Sequence, residues 1–121
     1  MGRITRFEEI EAFQSARDLT RLIYSISNQG PFARDFGLRD QMRRAAVSIM
    51  SNIAEGFESR TRAMFIEYLG RAKASAGELR AQCYVALDVE YVTNKVFTDL
   101  VGRAETCSKQ LSSFMTYLKS L

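Results

Sequence analysis

Residues 38–57 read Leu-Arg-Asp-Gln-Met-Arg-Arg-Ala-Ala-Val-Ser-Ile-Met-Ser-Asn-Ile-Ala-Glu-Gly-Phe, and this stretch decides the fold. At 100° per residue it separates into two helical faces. The apolar stripe contains Leu38, Met42, Ala45, Ala46, Ile49, Ile53 and Phe57. The polar face contains Asp40, Arg44, Ser48, Ser51 and Glu55, with Arg43 and Asn52 on its flanks. Because these polar side chains suit specific contacts, we expect function beyond folding to lie on this face.

Helical periodicity extends over nearly the whole chain and predicts helices at about 8–28, 38–57, 61–90 and 93–118. Gln29-Gly30-Pro31 ends the first helix, and Ser59 or Thr61 can cap the third. Apolar residues alternate at spacings of three and four in the last two helices, at Phe65, Leu69, Ala72, Ala76, Leu79, Cys83 and Ala86 and at Phe97, Leu100, Ala104, Cys107, Leu111, Phe114 and Leu118. The pattern predicts an all-α, antiparallel up-down four-helix bundle in one domain, 1–121.

The composition favours a helical protein with a mildly basic surface. The 121 residues include one proline and seven glycines, and the net charge is +3. Thirteen of the seventeen basic residues are arginine, which binds phosphate through a planar fork. Such a small basic excess is compatible with a nucleic-acid partner, but it is more typical of an ordinary solvated surface.

Several classes of function are disfavoured. The chain has no histidine, the commonest general base and metal ligand at neutral pH. Cys83 and Cys107 fall on apolar seams and are expected to be core residues without a disulfide. We find no phosphate loop, nucleophile motif or paired carboxylates. We therefore expect no enzymatic activity, no metal and no cofactor.

The sequence also lacks the features of a membrane protein. There is no run of eighteen apolar residues, and residues 1–6 lack the apolar core of a signal peptide. We therefore expect a cytoplasmic protein without a membrane partner.

Four segments carry a resemblance to a known family. They are Phe7–Phe13 (FEEIEAF), Gln41–Ile49 (QMRRAAVSI), Ser51–Gly56 (SNIAEG) and Phe65–Leu79 (FIEYLGRAKASAGEL). The chain resembles the four-helix bundle proteins encoded in 23S ribosomal RNA intervening sequences. It departs from them at Met50, where the family commonly has a proline that would kink the second helix.

The resemblance implies further properties. Relatives form ring-like homo-oligomers, pentamers in particular, and accessory proteins of similar fold work with reverse transcriptases. It therefore implies self-association and a partner that is RNA or an RNA–protein assembly. The residues themselves make self-association plausible, because the third helix presents small residues outside its core seam, at Gly70, Ala74, Gly77, Ala81 and Val85.

Basic residues of the second and third helices are the candidate nucleic-acid ligands. They are Arg39, Arg43, Arg44, Arg60, Arg62, Lys73 and Arg80. One interpretation is a phosphate-binding groove, with Tyr68 and Tyr84 stacking on bases. The other is a solvated face, in which Asp40 pairs with Arg43 or Arg44 and the tyrosines serve packing.

A second candidate is a polar cluster formed by Ser48, Asn52, Glu55 and Gly56. We interpret it mainly as structural, fixing the turn after the second helix, with Arg71 or Lys73 as partners. Contact with a ligand or another subunit is the alternative.

The leading hypothesis for the function of the protein is a non-enzymatic, RNA-binding homo-oligomer. The alternative function is a protein–protein scaffold with no nucleic-acid partner. RNA cleavage by Glu55 and arginine is a remote third.

Overall fold

A computed structural model describes residues 3–121 and contains four long α-helices. They are α1 (Glu11–Ile26), α2 (Phe36–Phe57), α3 (Arg62–Asp88) and α4 (Asn94–Lys119). Short 3-10 turns at Phe7–Glu9 and Gly30–Arg34 precede α1 and α2, and residues 3–121 contain no strand. The helices contact one another in chain order, and α4 closes against α1. The predicted four-helix bundle is confirmed.

The predicted apolar stripes form the core. Leu69, Leu79, Leu100 and Leu111 have no exposed surface, and neither do the seam alanines. Each fully buried leucine contributes about 1.5–3 kcal/mol through removal of its side chain from water. Residues at the ends of the stripes, such as Phe65 and Phe114, are only half-buried and pack on this core.

The N-terminal helix begins later than predicted. A helix from Glu8 was expected, but Phe7–Glu9 forms a 3-10 turn and Ile10 is extended, with φ −70° and ψ 125°. Ile10 is 2% exposed. The break therefore turns an apolar side chain into the core, and α1 starts at Glu11 and ends at Ile26 instead of Asn28.

The connection before α2 is more ordered than predicted. Asp35 caps α2, since its Oδ1 accepts a hydrogen bond of 3.1 Å from the Leu38 amide, and the helix begins at Phe36. The Tyr91 hydroxyl donates to Asp35 Oδ2 at 2.8 Å. Phe32 is 1% exposed, and its ring stacks on that of Tyr91 at 5.0 Å. The α1–α2 connection is thus fastened to the α3–α4 turn.

The remaining turns follow helix-end chemistry. Gly30 has φ +53°, as expected of a glycine after a helix. Thr61 and Thr93 cap α3 and α4 by accepting hydrogen bonds from the amides three residues later. The third helix ends at Asp88, two residues early, because Glu90 takes a left-handed φ of 63° and the Tyr91 amide donates to the Ala86 carbonyl.

The second helix is unbroken through Met50. Within the described chain, none of the helices combines the length and hydropathy that a membrane crossing needs.

Candidate nucleic-acid interface

The polar face of α2 borders a surface groove between α1 and α2. This α1–α2 groove has a volume of about 600 Å³. It is lined by Tyr24, Asp40, Arg43, Arg44, Val47, Ser48, Ser51, Asn52 and Glu55. Every polar residue that the helical pattern selected on α2 is among them. The formal charges of its two arginines and two carboxylates cancel, so it offers directed polar contacts without a strong net field.

Arg43 is held in place by α1. Its Nε donates a hydrogen bond of 2.8 Å to the hydroxyl of Ser27, which is fully buried. Its guanidinium lies 4.5 Å from the centre of the Tyr24 ring. Arg43 therefore satisfies a buried hydroxyl and packs on an aromatic face, and much of its binding capacity is used within the fold.

Arg39 is also engaged. It donates to the Ala33 carbonyl at 3.0 Å and to Asp40 Oδ1 at 2.9 Å, and it lies over the Phe36 ring. The prediction that Asp40 pairs with Arg43 or Arg44 is wrong, because its carboxylate pairs with the adjacent Arg39 instead. Arg44 is exposed and forms no ion pair with any residue in 3–121.

Part of the predicted polar cluster is present. The Asn52 side-chain amide donates to the Ser48 carbonyl at 2.9 Å and to its hydroxyl at 3.1 Å. That hydroxyl also bonds the hydroxyl of Ser75 across the α2–α3 interface at 2.9 Å. Asn52 and Ser48 therefore link two helices through a shared network.

The rest of the cluster differs from the prediction. Glu55 is exposed and makes no ion pair within the described residues, and Arg71 instead bonds Glu67 at 3.0 Å, one turn away on its own helix. Lys73 lies elsewhere, in a groove between α3 and α4. An i to i+4 partner is reached without strain, whereas a bond to Glu55 would have to span the helix interface. The predicted partnership with Arg71 or Lys73 is wrong.

Gly56 of α2 packs directly against α3. A Cβ atom added there would lie 2.7 Å from the Tyr68 Cβ and 2.9 Å from Cδ1 of Phe65. Both distances are shorter than carbon atoms tolerate. Glycine is thus required for packing here, and the helix continues beyond it to Phe57. Tyr68 packs on Gly56, and its ring centre lies 5.0 Å from the Arg71 guanidinium.

The candidate basic residues do not form one groove in a single chain. Arg39, Arg43 and Arg44 lie near the start of α2, about 20–27 Å along the helix from its end, where Arg60 and Arg62 follow. A separate α3–α4 groove, about 430 Å³ in volume, lies on the other side of the bundle. Its lining comprises Lys73, Arg80, Glu105, Ser108, Lys109, Ser112 and Ser113.

A family model described as 23S rRNA-intervening sequence protein matches residues 8–113. The chain belongs to this family. The four segments that carried the resemblance all fall at least partly inside the matched range, and the family assignment made from them is confirmed.

A solved structure supports the fold of this intervening-sequence family member. It is a protein of unknown function from the S23 ribosomal protein family of Bacteroides thetaiotaomicron. The TM-score is 0.79 at 22% identity, and the alignment covers 87% of this chain and 95% of that one. A comparison with curated proteins gave no match.

Sequence reasoning missed the α4 side of the α3–α4 groove. Ser108, Lys109 and Ser112 are spaced so that they share one helical face, and this spacing was the available signal. It was weak, because polar residues at such intervals occur on the outer face of any bundle helix.

The two cysteines are core residues in this family member, as predicted, and both thiols are free. The Cys107 thiol contacts the Ala12 carbonyl at 3.6 Å across the α1–α4 interface. Burial disfavours the thiolate and raises the pKa of both Cys83 and Cys107 to about 11. In residues 3–121, no group of three or more acidic, cysteine or histidine side chains is arranged to hold a metal ion.

We expect these thiols to make stability fall at alkaline pH. The ordinary thiol pKa is 9.0, and the folded value is about 11. The folded state therefore keeps protons that the unfolded state loses, and stability present below pH 9 declines as pH rises toward 11. At pH 10 each thiol should lower the free energy of unfolding by about 1 kcal/mol relative to its value well below pH 9. Urea unfolding at pH 8 and pH 10 measures the decline, and a Cys83→Ala/Cys107→Ala variant should decline less. An equal decline in that variant would contradict the assignment to the thiols.

Proposed function

We propose that this protein binds nucleic acid, RNA in particular, and does so without catalysing a reaction. One observation carries the proposal. Of the seven basic residues predicted as ligands, only Arg39 forms an ion pair within residues 3–121, and Arg43 is engaged with Ser27 and Tyr24. The other five have neither kind of partner there. They are Arg44, Arg60, Arg62, Lys73 and Arg80. Because their charges are not neutralised within the subunit, they remain available to phosphates.

Groove chemistry supports the same proposal. Arg44 shares the α1–α2 groove with Ser51 and with the Asn52 amide, whose oxygen accepts no hydrogen bond from residues 3–121. An arginine can bind the phosphate of a nucleic-acid backbone, and neighbouring hydroxyl and amide groups can hydrogen-bond the adjoining sugar or base edge. Exposed Arg60 and Arg62 add a separate pair of positive charges beyond the end of α2.

We also propose that the protein acts as a homo-oligomer, a pentameric ring being favoured by the family resemblance. The small residues predicted to lie outside the α3 seam are accessible: Ala74, Gly77, Ala81 and Val85 are exposed, and Gly70 is half-buried. Such a stripe lets another helix approach closely. Five subunits would carry a charge of about +15 and combine weak phosphate sites into tighter overall binding.

A protein–protein scaffold is the second candidate, and a specific observation favours it. Tyr84, Val85 and Val89 lie together near the end of α3 and are 55%, 48% and 50% exposed. Clustered apolar side chains of this kind mark contact surfaces for other proteins. A partner protein at this surface would require no nucleic acid.

The test of nucleic-acid binding is fluorescence anisotropy with a labelled, structured RNA at two salt concentrations. An Arg44→Gln/Arg60→Gln/Arg62→Gln variant should bind at least tenfold more weakly, because the loss of even one charge-assisted contact costs about 1.5 kcal/mol, which is about tenfold in affinity. The slope of log affinity against log salt should fall by about two to three. Arg43 is left in place because its removal would also expose the buried Ser27 hydroxyl.

The matched control is Arg21→Gln/Arg71→Gln/Arg103→Gln. It removes the same three charges, but from side chains already paired with Asp18, Glu67 and Asp99. Equal losses in both variants would indicate a general charge effect. No RNA binding at low salt, by a protein shown to be helical, would contradict the proposed function and favour the scaffold.

A further inference from the structure

The α3–α4 groove differs from the α1–α2 groove in charge. It is lined by Lys73 and Arg80 of α3 and Lys109 of α4, with Glu105 as its single carboxylate. The formal balance is therefore three positive charges against one negative, or +2. None of these four side chains forms an ion pair within residues 3–121. The groove thus concentrates positive charge that the subunit does not neutralise.

Arg80 carries a second and independent signal. Its Nε is buried from solvent and has no hydrogen-bond partner among the described residues. A buried charged donor without an acceptor is costly, so such groups are rare and call for an explanation. Arg80 lines the groove, so an anionic oxygen bound there to the rest of its guanidinium would offset part of this cost.

The serines of α4 add uncharged donors. Helical serine and threonine hydroxyls often bond to the carbonyl one turn earlier, as that of Thr116 does to Ser112. The hydroxyls of Ser108 and Ser112 form no such bond within the described chain, although both residues are half-buried. They remain free to donate into the groove.

The spacing fits one bound group. Lys73 and Arg80 are seven residues apart, about 10 Å along α3, and Ser108, Lys109 and Ser112 span about one turn of α4. The two basic side chains of α3 and the two serines of α4 line this same groove. Cationic and hydroxyl donors together, converging from two helices, suit a tetrahedral oxyanion such as a phosphate group.

We propose that the α3–α4 groove is a phosphate-binding site formed by Lys73, Arg80, Lys109, Ser108 and Ser112. Placing the backbone of an RNA strand there rests on the proposed function, whereas binding of free inorganic phosphate does not. Lys109 and the two serines, all on α4, are then phosphate ligands in addition to the basic residues of α2 and α3 that the sequence predicted.

The site is tested by ¹⁵N chemical-shift titration of the full chain, first with inorganic phosphate and then with a single-stranded octauridylate. We expect the largest shifts at the amides of residues 73, 80 and 108–112. Lys109→Gln should weaken phosphate binding about tenfold, and Ser112→Ala, which changes no charge, about fivefold. For octauridylate, Lys109→Gln should reduce the salt slope by about 0.7, the value of one phosphate contact.

Lys95→Gln on the same helix is the matched control. Lys95 is exposed and lies about 20 Å from Lys109 along α4, beyond the screening length at 0.1 M salt, so phosphate binding should change by less than about twofold. Circular dichroism confirms that each variant keeps its helix content.

The outcomes separate the two proposals. Shifts in the groove with both probes, sensitive to Lys109→Gln and Ser112→Ala, support a site for the strand backbone. Shifts with inorganic phosphate alone support a free-phosphate site and count against RNA binding in this groove. RNA binding that neither groove variant alters would overturn the placement of the RNA backbone in the groove and leave the proposed function standing. Absence of groove shifts with either probe would overturn the groove site itself.

Discussion

Replacing Phe32 by alanine is expected to lower the free energy of unfolding by about 3–5 kcal/mol. The ring is 1% exposed and stacks on Tyr91 with centroids 5.0 Å apart. It fills space between the α1–α2 connection and the α3–α4 turn, so its removal leaves a cavity that neither turn can close without losing the Asp35–Tyr91 hydrogen bond. Urea unfolding followed by circular dichroism measures the loss.

Phe36→Ala is the matched control for this prediction. Phe36 lies four residues away, is 62% exposed and contacts the Arg39 guanidinium. Its truncation removes the same atoms at little cost, about 1 kcal/mol or less. Similar losses in the two variants would show that Phe32 has no special role in joining the turns.

Gly56→Ala is expected to destabilise the protein by about 2–3 kcal/mol, at the upper end of the cost of overpacking. The added methyl group would lie 2.7 Å from the Tyr68 Cβ. That atom is fixed to the α3 backbone and cannot rotate away, so α2 and α3 must separate locally. Their separation would also strain the Ser48–Ser75 hydrogen bond between the same helices. The midpoint of urea unfolding should therefore fall.

Gly102→Ala serves as its control. Gly102 is exposed in the middle of α4, and a Cβ added there meets nothing within 4 Å. Alanine should stabilise this helix by about 0.5–1 kcal/mol, because it restricts the unfolded chain more than glycine does. A Gly56→Ala protein as stable as the original would contradict the close approach of α2 and α3.

The fold was predictable because helical periodicity persists in four segments. Leu69, Ala76 and Leu100 could be assigned to the core by spacing alone, and all are buried. Helix ends were less predictable, since they depend on tertiary contacts. Ile10 leaves the helix to enter the core, and Asp35 caps α2 while accepting a bond from Tyr91, 56 residues later.

The candidate site was predictable only in part, for a related reason. Periodicity placed Arg43 and Arg44 on one polar surface, but it cannot show that Ser27, directly after α1, binds Arg43 while Arg44 forms no ion pair within residues 3–121. Nor can it pair Lys73 with Lys109, which face each other only once α3 and α4 pack. Contacts within a helix follow from spacing, whereas contacts between helices require the packed structure.

The described ends of the chain lie close together. Ile4 borders a small groove with Phe114, Tyr117 and Leu118, so the first and last described residues lie at one end of the bundle. The Phe32–Tyr91 stack marks the opposite end. The order of the helices along the chain can therefore be changed without changing their packing. A short linker could join the present ends, and new termini could be opened at the exposed residues beside Gly30. The resulting circular permutant would have the same core, with both of its termini at the opposite end of the bundle.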